Sequence, residues 1–253
     1  MIKAMVSLGA LVFGVWSQSA FGHGEAETRI VLEPELTSFS AGVSTYKFKL
    51  IDTETNKLVS DSDLSIAHEK KLHLVIYDSS LNEFQHIHPE FNGNSWSVSA
   101  QFLVNGEYWV WAQGELAADG TEFSTSSKLS VSGGVIAWPT PPALSDMRSG
   151  QSGVSKINLS SNKVTAGKMA MLDLIMTRTD GSNPQLSPYM GAFAHVIATP
   201  DDGDSLIHVH PVSTGQSKGM LHATFPSAGL YRLWIQFIDD GNLKVIPVSI
   251  KVF

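Results

Sequence analysis

The strongest constraint in this 253-residue chain is that it writes one stretch twice. KLHLVIYDSSLNEFQHIHPE (residues 71–90) returns without a gap as FAHVIATPDDGDSLIHVHPV (residues 193–212), so His73, His86, His88 and Pro89 match His195, His208, His210 and Pro211. Downstream, FLVNGEYWVWAQ meets FPSAGLYRLWIQ, pairing Phe102 with Phe225, Gly106 with Gly229, Tyr108 with Tyr231, Trp111 with Trp234 and Gln113 with Gln236. Upstream, SAGVSTYKFKLID and TAGKMAMLDLIMT align more loosely. A repeat of ~100 residues is domain-sized, well above the 20–50 residues of a solenoid unit.

Each copy is built from short alternating runs rich in Val, Ile, Tyr and Trp, with turn residues between them: STYKFKLID, KLHLVIYD, SWSVSAQF, EYWVWAQG and SKLSVS in the first. That pattern specifies an all-β chain of two tandem antiparallel β-sandwiches. Helical periodicity is nowhere sustained; DLSIAHEKKLHL is the nearest approach and is short. Between the copies, SGGVIAWPTPPALSDMRSGQSG has the Gly, Pro and Ser content of a linker. The resulting division is a leader over 1–22, a first sandwich over 23–135, a linker over 136–153 and a second sandwich over 154–253.

The histidine spacing acquires meaning once residues 72–78 and 83–88 are laid side by side as antiparallel strands. Facing residues then have a constant index sum, and a tight connection sets His73 opposite His88 and Val75 opposite His86. Alternation puts all three histidines on one face, where opposed Cβ atoms are ~5 Å apart. A slip of two residues keeps the same face. The second copy obeys the same arithmetic for His195, His208 and His210. Three imidazoles in a small volume are costly to bury without partners and repel one another when protonated; a metal ion removes both costs. Imidazole suits zinc, copper, nickel and iron, so donor type alone does not choose among them. Pro89 and Pro211 end their strands, because proline cannot donate to the ladder.

The copies differ five residues before the first histidine, where AHEKKLH offers His68 and YMGAFAH offers Met190. A thioether favours Cu(I), and a fourth imidazole favours Cu(II) or zinc. Five is odd, so either residue reaches its metal only if the chain bends; otherwise Met190 is core filler and His68 a solvated neighbour of Lys70 and Lys71. Met169 and Met171 share one strand face, opposite Leu172, Leu174 and Met176, which leaves open that one of the two sets is exposed and available to copper; the reading preferred is core packing, since methionine fills irregular cores. His222 matches Ser99 and is read as incidental or accessory. Trp111 and Trp234, with their preceding tyrosines, are expected in the sandwich cores.

Residues 1–22, MIKAMVSLGALVFGVWSQSAFG, have one lysine, an apolar run and then small residues, the layout of a secretory signal peptide. The chain is therefore expected to be exported, periplasmic or secreted, with no membrane span after processing. Cleavage after Gly22 leaves His23 first, able to chelate copper through its amine and ring; cleavage after Ala20 leaves Phe-Gly-His, a square-planar nitrogen set for Cu(II) or Ni(II). With no cysteine, the chain has neither a disulfide framework nor the thiolate of a blue-copper centre. Its 17 basic and 24 acidic residues leave it acidic, which argues against nucleic acid or an anionic membrane surface as partner.

On FQHIHP and HVHP the sequence resembles a group of exported bacterial proteins of cupredoxin-like or immunoglobulin-like shape associated with copper or heavy-metal handling. The resemblance implies His73, His86, His88, His195, His208 and His210 as ligands. The reading is a periplasmic copper-binding protein that sequesters or delivers its ion, with a copper exporter or chaperone as its protein partner and zinc as the alternative metal. Two rivals stand beside it: a metal-dependent enzyme with an open three-histidine site, and an adhesion or scaffold module with structural zinc. No acid or base partner stands out among the nearby carboxylates Glu69 and Glu90, so no catalytic residue is assigned.

Overall fold

The computed structural model describes residues 29–136, 142 and 144–253; the expected signal peptide and His23 lie outside these residues. The first copy folds into β1 (Ile30–Pro34), β2 (Ser38–Ser40), β3 (Gly42–Asp52), β4 (Lys57–Leu58), β5 (Leu72–Asp78), β6 (Phe84–Ile87), β7 (Glu90–Phe91), β8 (Trp96–Phe102), β9 (Val104–Glu115), β10 (Glu122–Ser132) and β11 (Val135–Ile136). These make one sheet in the order β1-β3-β8-β7, with β4 on β3, and another in the order β2-β10-β9-β5-β6, with β11 on β9. The segment that came nearest to helical periodicity, residues 63–74, forms no α-helix: it shares only Asp63 with a 3-10 turn at Asp61–Asp63, makes a tight turn at 67–70 and runs into β5.

The second copy runs β12 (Ser149–Ser152), β13 (Ser155–Leu159), β14 (Met169–Arg178), β15 (Leu186–Ser187), β16 (His195–Pro200), β17 (Ile207–Val209), β18 (Val212–Gly215), β19 (Lys218–Thr224), β20 (Gly229–Asp239) and β21 (Asn242–Val252). Its sheets are β12-β13-β14-β19-β18 and β15-β20-β16-β17, with β21 on β20. β12, which lies inside the stretch that composition reads as linker, pairs with β13 beyond it. Pairing is antiparallel except for short parallel contacts of β2 with β10 and of β11 with β9.

Alternation explains how the layers stack. In β5, Leu72, Leu74 and Ile76 enter the first sandwich core with Tyr108, Val110 and Ala112 of β9. The other faces of the same strands carry Val75, Tyr77, Trp109 and Trp111, and these join Ile197, Leu206 and Trp234 of the second copy in a separate apolar cluster. The second core holds Val196, Ala198, Tyr231, Leu233 and Ile235. The β5/β9 sheet and the β16/β20 sheet therefore pack face to face between the two outer sheets. Trp111 and Trp234 lie in this interface and not in the sandwich cores where the sequence places them, while Tyr108 and Tyr231 do lie in the cores. Each tryptophan is three positions after its tyrosine, and an odd spacing on a strand puts the two on opposite faces.

Polar contacts reinforce the apolar joint. Tyr77 Oη donates to the Gly203 carbonyl at 2.8 Å and receives the Trp111 indole N–H at 2.7 Å. Arg232 Nε donates to the Leu81 carbonyl at 3.1 Å, again between copies. Among the described residues no helix is long and apolar enough to cross a membrane.

Candidate metal centre

Each histidine trio rests on a pair of hydrogen-bonded strands. β5 and β6 place Val75 opposite His86 and Leu74 opposite Ile87, so His73 and His88 are the next facing pair. In the second copy, Ile197 faces His208 and Val196 faces Val209, which sets His195 against His210. Both registers are those the index sums predict. The same face carries the tryptophans and Tyr77, so the trios are at the interface between copies and not on free outer hairpins.

His73, His86 and His88 form one group, and His195, His208 and His210 another; within each, the three donor atoms lie within 4.8 Å of one another. The groups abut. Ring centroids are 5.4 Å apart for His86 and His208, 5.7 Å for His73 and His208, and 6.0 Å for His86 and His195. The contacts are reciprocal: His208 of the second copy lies near His73 of the first, as His86 of the first lies near His195 of the second.

Hydrogen bonds assign the tautomers. A carbonyl only accepts, so His73 Nε2–H donates to Ala67 at 3.1 Å and His195 Nε2–H donates to Tyr189 at 3.0 Å. His86 Nδ1–H donates to Gln236 Oε1, and His208 Nδ1–H to Gln113 Oε1, each at 3.1 Å. The remaining nitrogens are lone pairs. His73 Nδ1 faces His86 Nε2 at 3.1 Å, and His195 Nδ1 faces His208 Nε2 at 3.2 Å. Two lone pairs at that distance repel unless a cation is between them. Metal–nitrogen bonds of about 2.0–2.1 Å at a tetrahedral angle put two donors about 3.3 Å apart, close to both observed separations. His210 Nε2 is 2.9 Å from His195 Nδ1, whereas the buried His88 Nε2 has no hydrogen-bond partner. The donor set and this orphaned nitrogen both fit a bound metal.

Burial keeps these rings neutral. Desolvation pushes His73, His88 and His195 down to about 4 and His210 to about 2, with neighbouring imidazoles adding to the effect. Desolvation, followed by repulsion from the adjacent rings, holds His86 and His208 well below the ordinary histidine value. Neutral imidazole is the ligating form.

His68 and Met190 occupy the bend that the odd spacing required. Ala67 bridges to Lys70 and Tyr189 to Ala192, closing two tight turns in which His68 (φ 50°), Glu69 (φ 67°), Met190 (φ 49°) and Gly191 (φ 72°) are left-handed. These turns bring the Ala67 and Tyr189 carbonyls to their histidines, and a Cβ built on Gly191 lies 3.5 Å from Glu69 Oε1 of the other copy. His68 packs across the joint, its ring centroid 3.7 Å from that of His210 and 6.0 Å from that of His195. It belongs to neither three-histidine group. Met190 is buried at the matching position.

The residues that sequence reasoning passed over are Gln113 and Gln236. Both are buried. Gln113 faces His73 in the β5/β9 register and Gln236 faces His195 in the β16/β20 register, yet each accepts a hydrogen bond from a histidine of the opposite copy. Their signal was an identical amide in both copies on the histidine-bearing face.

A family model described as Domain of unknown function (DUF8832) matches residues 34–133 and 150–253. Among solved structures, the chain is similar to FdeC, an Escherichia coli adhesin, at 14% identity and TM-score 0.29, over 90% of this chain and 65% of that one. It is similar to fibronectin(III)-like modules of Clostridium thermocellum CbhA at 12% identity and TM-score 0.22, over 88% and 93%. It is also similar to invasin, a bacterial integrin-binding protein, at 13% identity and TM-score 0.27, over 87% and 39%. No curated protein matches the chain.

Proposed function

The chain belongs to the DUF8832 family, which it carries in two copies, and from that premise we propose that it is an exported metal-binding protein that holds one ion in each histidine trio. Copper is the proposed metal, and sequestration or delivery in the periplasm the proposed role, with a copper exporter or chaperone as the partner that supplies or receives the ion. The proposed division remains a first sandwich over 23–135 and a second over 154–253. The observation that carries the reading is the pair of facing lone-pair nitrogens in each trio, with both outer N–H groups held by oxygen acceptors. Such outer-shell acceptors fix ring orientation and raise ligand basicity.

Elemental analysis of the exported protein, followed by titration of the metal-free chain, tests it. Two equivalents are expected. Replacing His86 and His88 with alanine is expected to remove one equivalent, and replacing His208 and His210 the other. Wild-type protein that takes up no copper or zinc would overturn the reading. Loss of both equivalents in either double variant would instead make the trios a single shared centre.

The placement of both trios in the joint favours a second reading, a tandem scaffold module in which the metal fixes one domain against the other. Exchange kinetics separate the two. An ion passed to a chelator within minutes fits a carrier, and one retained until unfolding fits a structural staple.

A further inference from the structure

The outer sheet of the second domain shows an unusual solvent face. Along β14, Ala170, Leu172, Leu174 and Met176 are in the core, so the alternating positions Met169 and Met171 point outward, 58% and 54% exposed. The expectation that these two methionines pack inside is therefore corrected; only Met176 of that strand does. On β19, Leu221 and Ala223 are inside, leaving Met220 half-buried and His222 exposed on the same outer face. The register opposes Met171 to His222, Met169 to Thr224 and Asp173 to Met220.

This geometry gathers donors. Directly opposed Cβ atoms lie about 4.5–5.5 Å apart and diagonal neighbours about 7–8 Å, within reach of long side chains. Met171 and His222 are an opposed pair, Met169 is diagonal to His222, and Met220 is diagonal to Met171. β14 is hydrogen-bonded on both sides, to β13 and β19, so the platform is rigid. Two uncharged thioethers and an imidazole form a soft donor set that hard cations do not favour and Cu(I) does. In the first domain, Thr45 faces Ser99 and Lys47 faces Ser97 on the equivalent strands, with no sulfur donor.

We propose that Met169, Met171 and His222 form a surface site for a soft monovalent cation of the Cu(I) class, with Met220 at its rim. The site stands on its own donors, whether or not the trios hold metal. Its position links it to them. In the first domain an open depression of about 300 Å³ is lined by Thr45, His88, Glu90, Ser97, Val98 and Ser99. By register and sequence match, the corresponding second-domain positions include Met171, His210, Met220 and His222. In the second domain itself, Val212, two residues after His210, is opposed to Met220 in the β18/β19 register, so the chain leads from the second trio directly to the strand that carries Met220 and His222.

The test uses the full chain labelled at the methionine methyl groups, its trios first saturated with Zn(II), and Ag(I) as a redox-inert soft probe. The Met169 and Met171 methyl signals are expected to shift together and saturate at one equivalent, while buried Met176 stays unmoved. The M169L/M171L variant, changed only at exposed positions, should keep its melting temperature and lose that equivalent. His222→Ala should weaken it by about tenfold or more, the size of loss typical for removing a group that supports a bound metal. Met169 and Met171 signals indifferent to Ag(I), or an unchanged Ag(I) isotherm in M169L/M171L, would overturn the site. Because the readout is the methyl signals, failure of the trios to hold Zn(II) would be seen separately and would not be mistaken for failure here.

Discussion

Gln236 and Gln113 each hold a histidine of the opposite domain in one tautomer, and this crossing is the residue-scale feature with the sharpest consequence. Gln236→Leu removes the acceptor for His86 Nδ1–H, so affinity at the first trio is expected to fall about 10–100-fold while the second trio is spared. Gln113→Leu is expected to do the reverse, and competition titration of the two variants checks the pattern; a loss confined to the glutamine's own domain would refute the crossed arrangement. A second prediction concerns pH. Because burial lowers His73, His88 and His195 to about 4 from an ordinary value near 6.5, the unfolded chain binds more protons than the folded one between those values. Stability of the metal-free chain is therefore full above about pH 6.5 and is lost as pH falls toward about 4. The folded trios stay neutral through most of that window, so metal affinity is expected to hold at pH 5, where solvated histidines would already have released their ion. Chemical denaturation and metal titration at matched pH values check the two halves independently.

At the scale of elements, the hairpin register was legible because strand pairing obeys a constant index sum and alternation has a period of two. The face was legible too, but what covers it was not. KLHLVIYD and EYWVWAQ read as apolar on both sides, and a strand buried on both faces needs a further layer; local pattern does not say that the layer comes from the other copy. The turns at 67–70 and 189–192 were readable only as a required bend, since nothing in AHEKKLH or YMGAFAH names the carbonyl that would reach a histidine. The 200–204 loop offers a test of the docking itself. Gly203 has φ 76°, and a Cβ there would lie 2.9 Å from a Trp109 ring carbon of the other domain. Gly203→Ala combines left-handed strain with that clash, so a loss of about 1–3 kcal/mol is expected, together with increased exposure of the interface tryptophans. A variant with wild-type stability and wild-type tryptophan fluorescence would show that this loop does not fix the joint.

At the scale of the whole molecule, the two sandwiches are joined by an apolar cluster of Val75, Tyr77, Leu81, Trp109, Trp111, Ile197, Leu206 and Trp234, and the six histidines lie on the same joint. A ligand that binds only the folded state stabilises it by mass action, by about 2.7 kcal/mol per site when its free concentration is about 100 times Kd. In a chain of this size each kcal/mol raises the melting temperature by about 2–4 °C, so each filled trio is expected to add about 5–10 °C. Chelation of the metal should remove the whole increment, replacing His86 and His88 with alanine about half of it, and replacing His208 and His210 as well should leave no dependence on metal. The crossed glutamines add a condition. If the domains part, each trio loses the acceptor that orients one of its rings, so metal retention and domain docking should fail together in a single thermal transition. Calorimetry with and without metal decides this. Two separate transitions, or the same metal-dependent rise in the variant lacking all four replaced histidines, would mean that the trios do not hold the joint.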